Sequence, residues 1–226
     1  MKHGKKYRET LKKYDPANTY NLNESLGLVK SMAFAKFDET VELSVKVNLK
    51  KSQSVRDTVV LPHQFRGEKR ILVFCKPEKE KEAQEAGAAF VGADDLIEKV
   101  KGGWTDFDVA VATPDMMKDV GKLGMVLGRK GLMPNPKTGT VTFDLKGTIA
   151  ELRKGRTEFR ADKTGVVHLA VGKVSMEEAM LAENIKAVLA EVKRKRPVDA
   201  KGEFIKTISV ASTMGPGVWV SMAEFE

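Results

Sequence analysis

The spacing of apolar residues changes period along this chain and then changes back, and that constrains the fold more than any single motif. Val41, Leu43, Val45, Val47 and Leu49 alternate with Glu42, Ser44, Lys46 and Asn48. A period of two gives a strand with one apolar face and one wet face. Ile71-Leu72-Val73-Phe74 is instead a continuous apolar run, suited to a strand covered on both faces. From Lys69 onward, strand and helix patterns take turns. Pro77 opens a helix through Ala86, Ala88 to Val91 is a strand, and Asp94 to Lys101 is a helix. Phe107 to Ala112 is again a buried-type strand, and Thr113-Pro114 starts another helix. That order predicts a parallel, doubly wound sheet. After a Gly-rich stretch at 121–139 and a helix from Leu145 to Arg153, strands return at Arg156–Arg160 and Val166–Val171. Phe204 to Ser212 and Val218 to Met222 read as a closing hairpin around Gly215-Pro216-Gly217. The two ends share one style and the middle has another. An inserted domain accounts for this: residues 1–67 with 160–226 build one α+β domain, and 68–159 build an α/β domain. The crossings near Pro62–Arg66 and Lys154–Arg156 would act as a hinge.

Local signals add detail. His3 to Tyr14 reads as a short basic helix stopped by Asp15-Pro16. Asn23 is placed to cap a helix carrying Leu26, Val29, Met32 and Ala33, and Arg56 to Leu61 is a short strand. Ser175 with Glu178 predicts a capping box for a long helix whose apolar face holds Met176, Ala179, Ile185, Val188, Leu189 and Val192.

Composition narrows the function classes. Of 226 residues, 39 are Lys or Arg and 31 are Asp or Glu, a net charge of +8. Residues 68–159 hold 16 basic and 15 acidic side chains, and the remainder holds 23 and 16. The bias therefore falls on the discontinuous domain, with runs at Lys2–Lys13 and Lys193–Arg196. No apolar run approaches the ~20 residues that cross a bilayer, and the N-terminus lacks the apolar core of a secretory signal. One cysteine, Cys75, excludes an intramolecular disulfide, and His3, His63 and His168 form no local metal motif. The expectation is a soluble protein of a reducing compartment, with a polyanion as the first partner to consider.

The candidate motifs divide accordingly. The segment Gly124 to Gly131 has three residues between its first two glycines and no Ser or Thr after Lys130, so it is not a Walker loop. From Gly128 to Gly139 there are three basic residues and no acid, with Pro134 and Pro136 fixing backbone shape. A plain surface loop and a phosphate-touching loop fit equally well. On the strand Lys206–Thr213, Ile208 and Val210 share one face while Thr207, Ser209, Ala211 and Thr213 share the other. Small hydroxyl side chains suit ribose 2′-OH and phosphate oxygens, and they also suit an ordinary wet sheet face. Phe37 beside Lys36 either staples a helix to the sheet or offers an aromatic face to nucleic acid. Lys163 sits at the tip of the turn Asp162–Gly165, Cys75 reads as an inert core thiol, and His168 reads as structural. No cluster suggests acid–base or nucleophilic catalysis. A nucleotide-dependent enzyme and a free-standing nucleic-acid-binding regulator remain the rival readings.

Several stretches in one order resemble the bacterial ribosomal protein L-one family. They are the opening Lys-His-Gly-Lys-Lys-Tyr, Ala35-Lys-Phe-Asp-Glu-Thr40, Ala112-Thr-Pro-Asp115, GKLGMVLGRKGLMPNP from Gly121, Gly155-Arg-Thr-Glu-Phe-Arg160 with Asp162-Lys-Thr-Gly165, and Ser212-Thr-Met-Gly-Pro216. The resemblance implies an α/β fold class: a discontinuous two-layer α+β domain with an inserted three-layer Rossmann-like α/β domain. It implies a non-enzymatic constituent of the large ribosomal subunit, cytoplasmic, monomeric when free, without cofactor or metal and away from membranes. Its implied partners are large-subunit rRNA at the mobile stalk, exit-site tRNA whose release it assists, and its own operon mRNA, which it represses. By matching position, RNA contacts fall on Lys36, Phe37, Thr40, Lys163, Thr207, Ser209, Thr213, Met214 and Gly215. Ala211 departs from the family's run of hydroxyl residues.

Overall fold

The structure, a computed structural model, describes residues 4–49, 54–197 and 202–225. His3, expected in the first helix, lies outside the described residues. In chain order the elements are α1 (Lys5–Thr10), β1 (Thr19–Tyr20), α2 (Leu22–Met32), β2 (Thr40–Val47), β3 (Arg56–Val59), β4 (Ile71–Phe74), α3 (Pro77–Glu85), β5 (Phe90–Gly92), α4 (Asp94–Lys101), β6 (Val109–Ala112), α5 (Met117–Val120), α6 (Gly124–Arg129), α7 (Leu145–Arg153), β7 (Thr157–Arg160), β8 (Val166–Lys173), α8 (Glu178–Arg194), β9 (Ile205–Ser212) and β10 (Gly217–Val220), joined in places by single 3-10 turns. The chain divides into two compact units, residues 1–65 with 158–226, and 66–157.

The alternation in β2 dictates the first unit. Val41, Leu43, Val45 and Val47 are all at most 1% exposed, while Glu42, Ser44 and Lys46 face outward. β2 lies inside a five-stranded sheet ordered β1-β10-β9-β2-β8, antiparallel except for the β1–β10 pair. Helices α2 and α8 cover the apolar face, giving two layers. Leu22, Leu26, Val29 and Met32 recur at helical spacing on α2, and Leu181, Ile185, Val188, Leu189 and Val192 do so on α8. Asn184, fully buried on α8, donates to the carbonyls of His63 and Val171 (both 2.8 Å) and accepts from the His63 amide (2.9 Å). Its polar groups are thereby satisfied, which makes its burial tolerable and fixes the chain leaving β3.

Two predicted caps move. The helix over Leu22–Met32 is capped by Asn21 in a capping box with Glu24, not by Asn23, which lies inside the helix. Ser175 does not cap α8. Its hydroxyl and amide bind Asp38 instead, at 2.8 and 3.1 Å, and α8 begins after Glu177. Met176 therefore precedes the helix, Ala179 is exposed, and Leu181 and Ala182 take the buried positions.

The second unit carries a parallel three-stranded sheet ordered β5-β4-β6. All four residues of β4 are buried because both faces are covered. Leu72 and Phe74 face a core built with α4 and the 116–127 segment, and Ile71 and Val73 face a core built with α3 and α7. This is a three-layer α/β arrangement. The Gly-rich stretch is less loop-like than its composition suggests, since Gly124–Arg129 forms α6 with Leu127 buried. The Pro134–Gly139 part is held internally. The Asn135 side chain accepts from the Lys137 amide (2.8 Å), and the Arg156 guanidinium donates to the Thr138 carbonyl (3.0 Å).

Candidate nucleic-acid interface

The outward face of the five-stranded sheet gathers most of the candidate residues. Register places Thr19, Trp219, Ser209, Ser44 and His168 in one row across all five strands. Flanking rows hold Gly217, Ala211, Glu42 and Ala170 on one side, and Thr207, Lys46 and Val166 on the other. A bulge between Lys46 and Val47 turns Lys206 outward beside Thr207. At ~3.3 Å per residue, Thr40 and Lys46 are ~20 Å apart along β2. The candidates therefore form an extended strip. Lys36, Phe37, Thr40, Thr213, Met214 and Gly215 stand at one end, Ser209 in the middle, and Thr207 with the Lys163 turn at the other.

The first end is organised by Glu39, which sequence reasoning did not single out. Its carboxylate is 1% exposed, and one oxygen accepts from the amides of Phe34 (3.0 Å) and Ala35 (2.8 Å). The other accepts from the Met214 amide (3.1 Å). Burial opposes its ionisation. The nearby Ser212 hydroxyl and the hydrogen-bonded amides of Ala35, Met214 and Phe34 outweigh burial and hold the carboxyl below its ordinary range. One buried anion thus joins the segment carrying Lys36 and Phe37 to the segment carrying Thr213 to Gly215. Phe37 and Met214 both remain half exposed on these segments, at 55% and 50%. Phe37 does not act as a buried staple. A side chain at Gly215 would place its Cβ 2.5 Å from the Ser212 hydroxyl, so any larger residue there would force Ser212 to shift.

Hydrogen-bonding capacity decides what each hydroxyl can still recognise. A hydroxyl has one donor and two acceptor sites. Thr213 donates to the Thr40 carbonyl (3.2 Å) and accepts from the Thr40 amide (2.9 Å). One lone pair remains, which fits a donor such as a ribose 2′-OH and not a phosphate oxygen. Thr40 accepts from the Lys173 ammonium (2.8 Å) and keeps its own proton, which fits a phosphate. Ser44 and His168 are bonded to each other (3.0 Å). His168 is exposed on this face and contributes nothing to the core. Among the described residues, Thr207 and Ser209 have no partner for their hydroxyls and can both donate and accept.

At the far end, Asp162 accepts from the amides of Thr164 and Val166 (2.8 Å each) and from the Thr164 hydroxyl. The Val166 amide and the Thr164 hydroxyl hold its carboxyl below the usual carboxylate range. Gly165, at φ +79°, lies against the Val47 carbonyl, 2.8 Å from where a Cβ would stand, and Lys46 donates to the Thr164 carbonyl. This rigid turn presents Lys163 at its tip. Among the described residues, the ammonium groups of Lys36, Lys163 and Lys206 have no hydrogen-bond or ion-pair partner. They lie along the strip with Glu42 as an opposing charge.

Net charge does not single out this unit. Drawn at the structural boundaries, residues 1–65 with 158–226 hold 22 basic and 17 acidic side chains, and 66–157 hold 17 and 14. The contrast expected from the sequence shrinks because Arg66 and Glu158 each change sides. The first unit gathers unpaired cations and hydroxyls on one sheet face. Among the described residues no cluster of His, Cys, Asp and Glu could hold a metal ion, and no helix is long and apolar enough to cross a membrane. Cys75 is fully buried, and burial pushes its thiol up to about 11, too high for thiolate chemistry at neutral pH.

Comparison with known proteins gives the family of the chain. Three relatives carry the description "Large ribosomal subunit protein uL1". The one from Treponema denticola is 64% identical over 220 residues, covering 97% of each chain. The one from Borrelia hermsii is 58% identical, covering 96% of this chain and 97% of its own. The one from Leptospira biflexa is 56% identical over 224 residues, covering 99% and 97%. The family model described as "Ribosomal protein L1p/L10e family" matches residues 29–216, which span both units. This chain belongs to the ribosomal protein L1p/L10e family.

Proposed function

We propose that the protein is a non-enzymatic structural constituent of the large ribosomal subunit in the cytoplasm. In this reading it binds large-subunit rRNA through the outward sheet face of its discontinuous unit. The observation that carries the assignment of the face is the strip of free hydroxyls and unpaired lysines, bounded by the exposed Phe37 and Met214. Folded RNA presents 2′-OH groups, phosphates and unstacked bases, and these are the complements of such a strip. Lysines supply salt-sensitive affinity, and the fixed hydroxyls supply shape and register. The nine residues Lys36, Phe37, Thr40, Lys163, Thr207, Ser209, Thr213, Met214 and Gly215 are the proposed contacts. Of these, Thr213 and Gly215 also shape the loop that presents Met214.

The resemblance extends the reading. The bound rRNA belongs to the mobile stalk, the protein assists release of deacylated tRNA from the exit site, and it represses its own mRNA at an rRNA-like site. Co-sedimentation with large subunits in a sucrose gradient tests the core of the proposal, and a chain that stays at the top of the gradient refutes it. A transcript of the operon leader that competes with rRNA for the protein supports the repressor role, and one that fails to compete removes it.

A further inference from the structure

Trp219 is not among the proposed contacts, yet it occupies the central row of the same face. β10 turns Val218 and Val220 into the core and leaves Trp219 42% exposed. A single exposed apolar residue carries no meaning by itself. Three neighbouring features set this one apart. Its cross-strand partners, Thr19 and Ser209, are small, and Gly217 on the same strand leaves open space, so part of the indole stays open to solvent. Beside it lies a hollow of about 170 Å³ whose lining includes Trp219, Lys206, Thr207 and Ser221. Among the described residues, the indole N–H, the Lys206 ammonium and the Thr207 hydroxyl have no partner.

The geometry points to a base-stacking site: one unpaired rRNA base lies against the Trp219 ring, with Lys206 at its phosphate and Thr207 and Ser209 at its ribose. The inference rests on the rRNA reading above and extends the interface from β9 across β10. An aromatic face binds any base, a cation beside it favours the anionic backbone, and hydroxyls match the 2′-OH. An RNA partner fits better than a protein one because the hollow combines a free cation with free hydroxyls along a strip of the same chemistry.

Tryptophan fluorescence tests this directly, because the chain has only two tryptophans. Trp104 belongs to the other unit, packed edge-on to Phe90 at 4.9 Å. A W104F chain therefore reports Trp219 alone. Titrated with purified large-subunit rRNA, it should show Trp219 quenching that saturates with binding. W219A should bind the same RNA about 5- to 150-fold more weakly, and W219Y should stay near wild type. The quenching arm leaves position 219 intact, so it remains decisive even if W219A folds poorly. Binding without quenching, or with W219A equal to wild type, overturns the stacking site and leaves the rRNA reading in place. Failure of the wild-type chain to bind the rRNA overturns both.

Discussion

Replacing Glu39 with glutamine isolates the contribution of one buried charge to the interface. Gln keeps an acceptor oxygen for the Phe34 and Ala35 amides, but its NH₂ group then faces the Met214 amide, donor against donor. Two charge-assisted bonds become neutral ones, a loss of ~1 kcal/mol each, and the third is lost at ~1–3 kcal/mol. Phe34 and Ala35 are half-buried and Met214 is exposed, so water replaces part of the loss. The expected destabilisation of this unit is about 2 kcal/mol. Urea unfolding followed through Trp219 in the W104F background measures it. The carboxyl titrates below its ordinary range in the folded state, so its contribution is complete above the unfolded value of ~4.3. It is lost as pH falls through the folded value. The gap between wild type and E39Q should stay constant from pH 5 to 8 and close on further acidification. RNA binding gives a second reading with an opposite sign from simple electrostatics. Removing a negative charge should tighten binding to a polyanion, whereas loosening the two loops should weaken it. Equal unfolding midpoints at pH 7, or tighter rRNA binding by E39Q, would refute the assignment of Glu39 as the clamp.

Thr213→Ala should weaken rRNA binding several-fold, with Thr213→Ser restoring it, because the bonds to Thr40 need only the hydroxyl; a calorimetric titration distinguishes the two. Met214→Asp should weaken binding while leaving the thermal melt in place, since that side chain is half exposed. Gly165→Ala should cost ~2 kcal/mol or more in a denaturant titration, from its left-handed backbone and the contact with the Val47 carbonyl. Cys75 should resist iodoacetamide at pH 7 in the folded chain and react on unfolding, and rapid labelling of native protein would contradict its burial. The logarithm of the affinity for rRNA should fall linearly with the logarithm of salt concentration, and a flat response would remove the lysines from the interface.

What the residues reveal in advance depends on whether the deciding contact is local. Period-two spacing from Val41 to Val47 and the apolar run Ile71–Phe74 specify which faces are covered, and both are buried as the patterns require. Asp94–Lys101 and Leu145–Arg153 also match their signals, since their apolar periods lie within a few residues. The α2 cap falls two residues before its signal, Asn21 taking the place of Asn23, and the other misses turn on distant partners. Ser175 looks like a cap until Asp38, far earlier in the chain, takes its hydroxyl. Glu39 looks like one more surface acid, because its donors come from residues 34–35 and from Met214. Trp219 reads as an ordinary strand residue until the register brings Lys206 and Thr207 beside it. The charge contrast between domains fails for a simpler reason: it depends on which side of a boundary Arg66 and Glu158 fall.

The strand order of the first unit also sets a timetable for synthesis. β2 leaves the ribosome early, but both of its sheet neighbours, β8 and β9, come from the last third of the chain. The contiguous stretch 66–157 contains its whole parallel sheet and can condense while translation continues. β2 must wait with both backbone edges unpaired until β8 is complete at residue 173, and its other edge stays open until β9 is complete at residue 212. A chain truncated before β9 is therefore left with an open strand edge on β2, and the proposed recognition face forms only once β9 and β10 have been made.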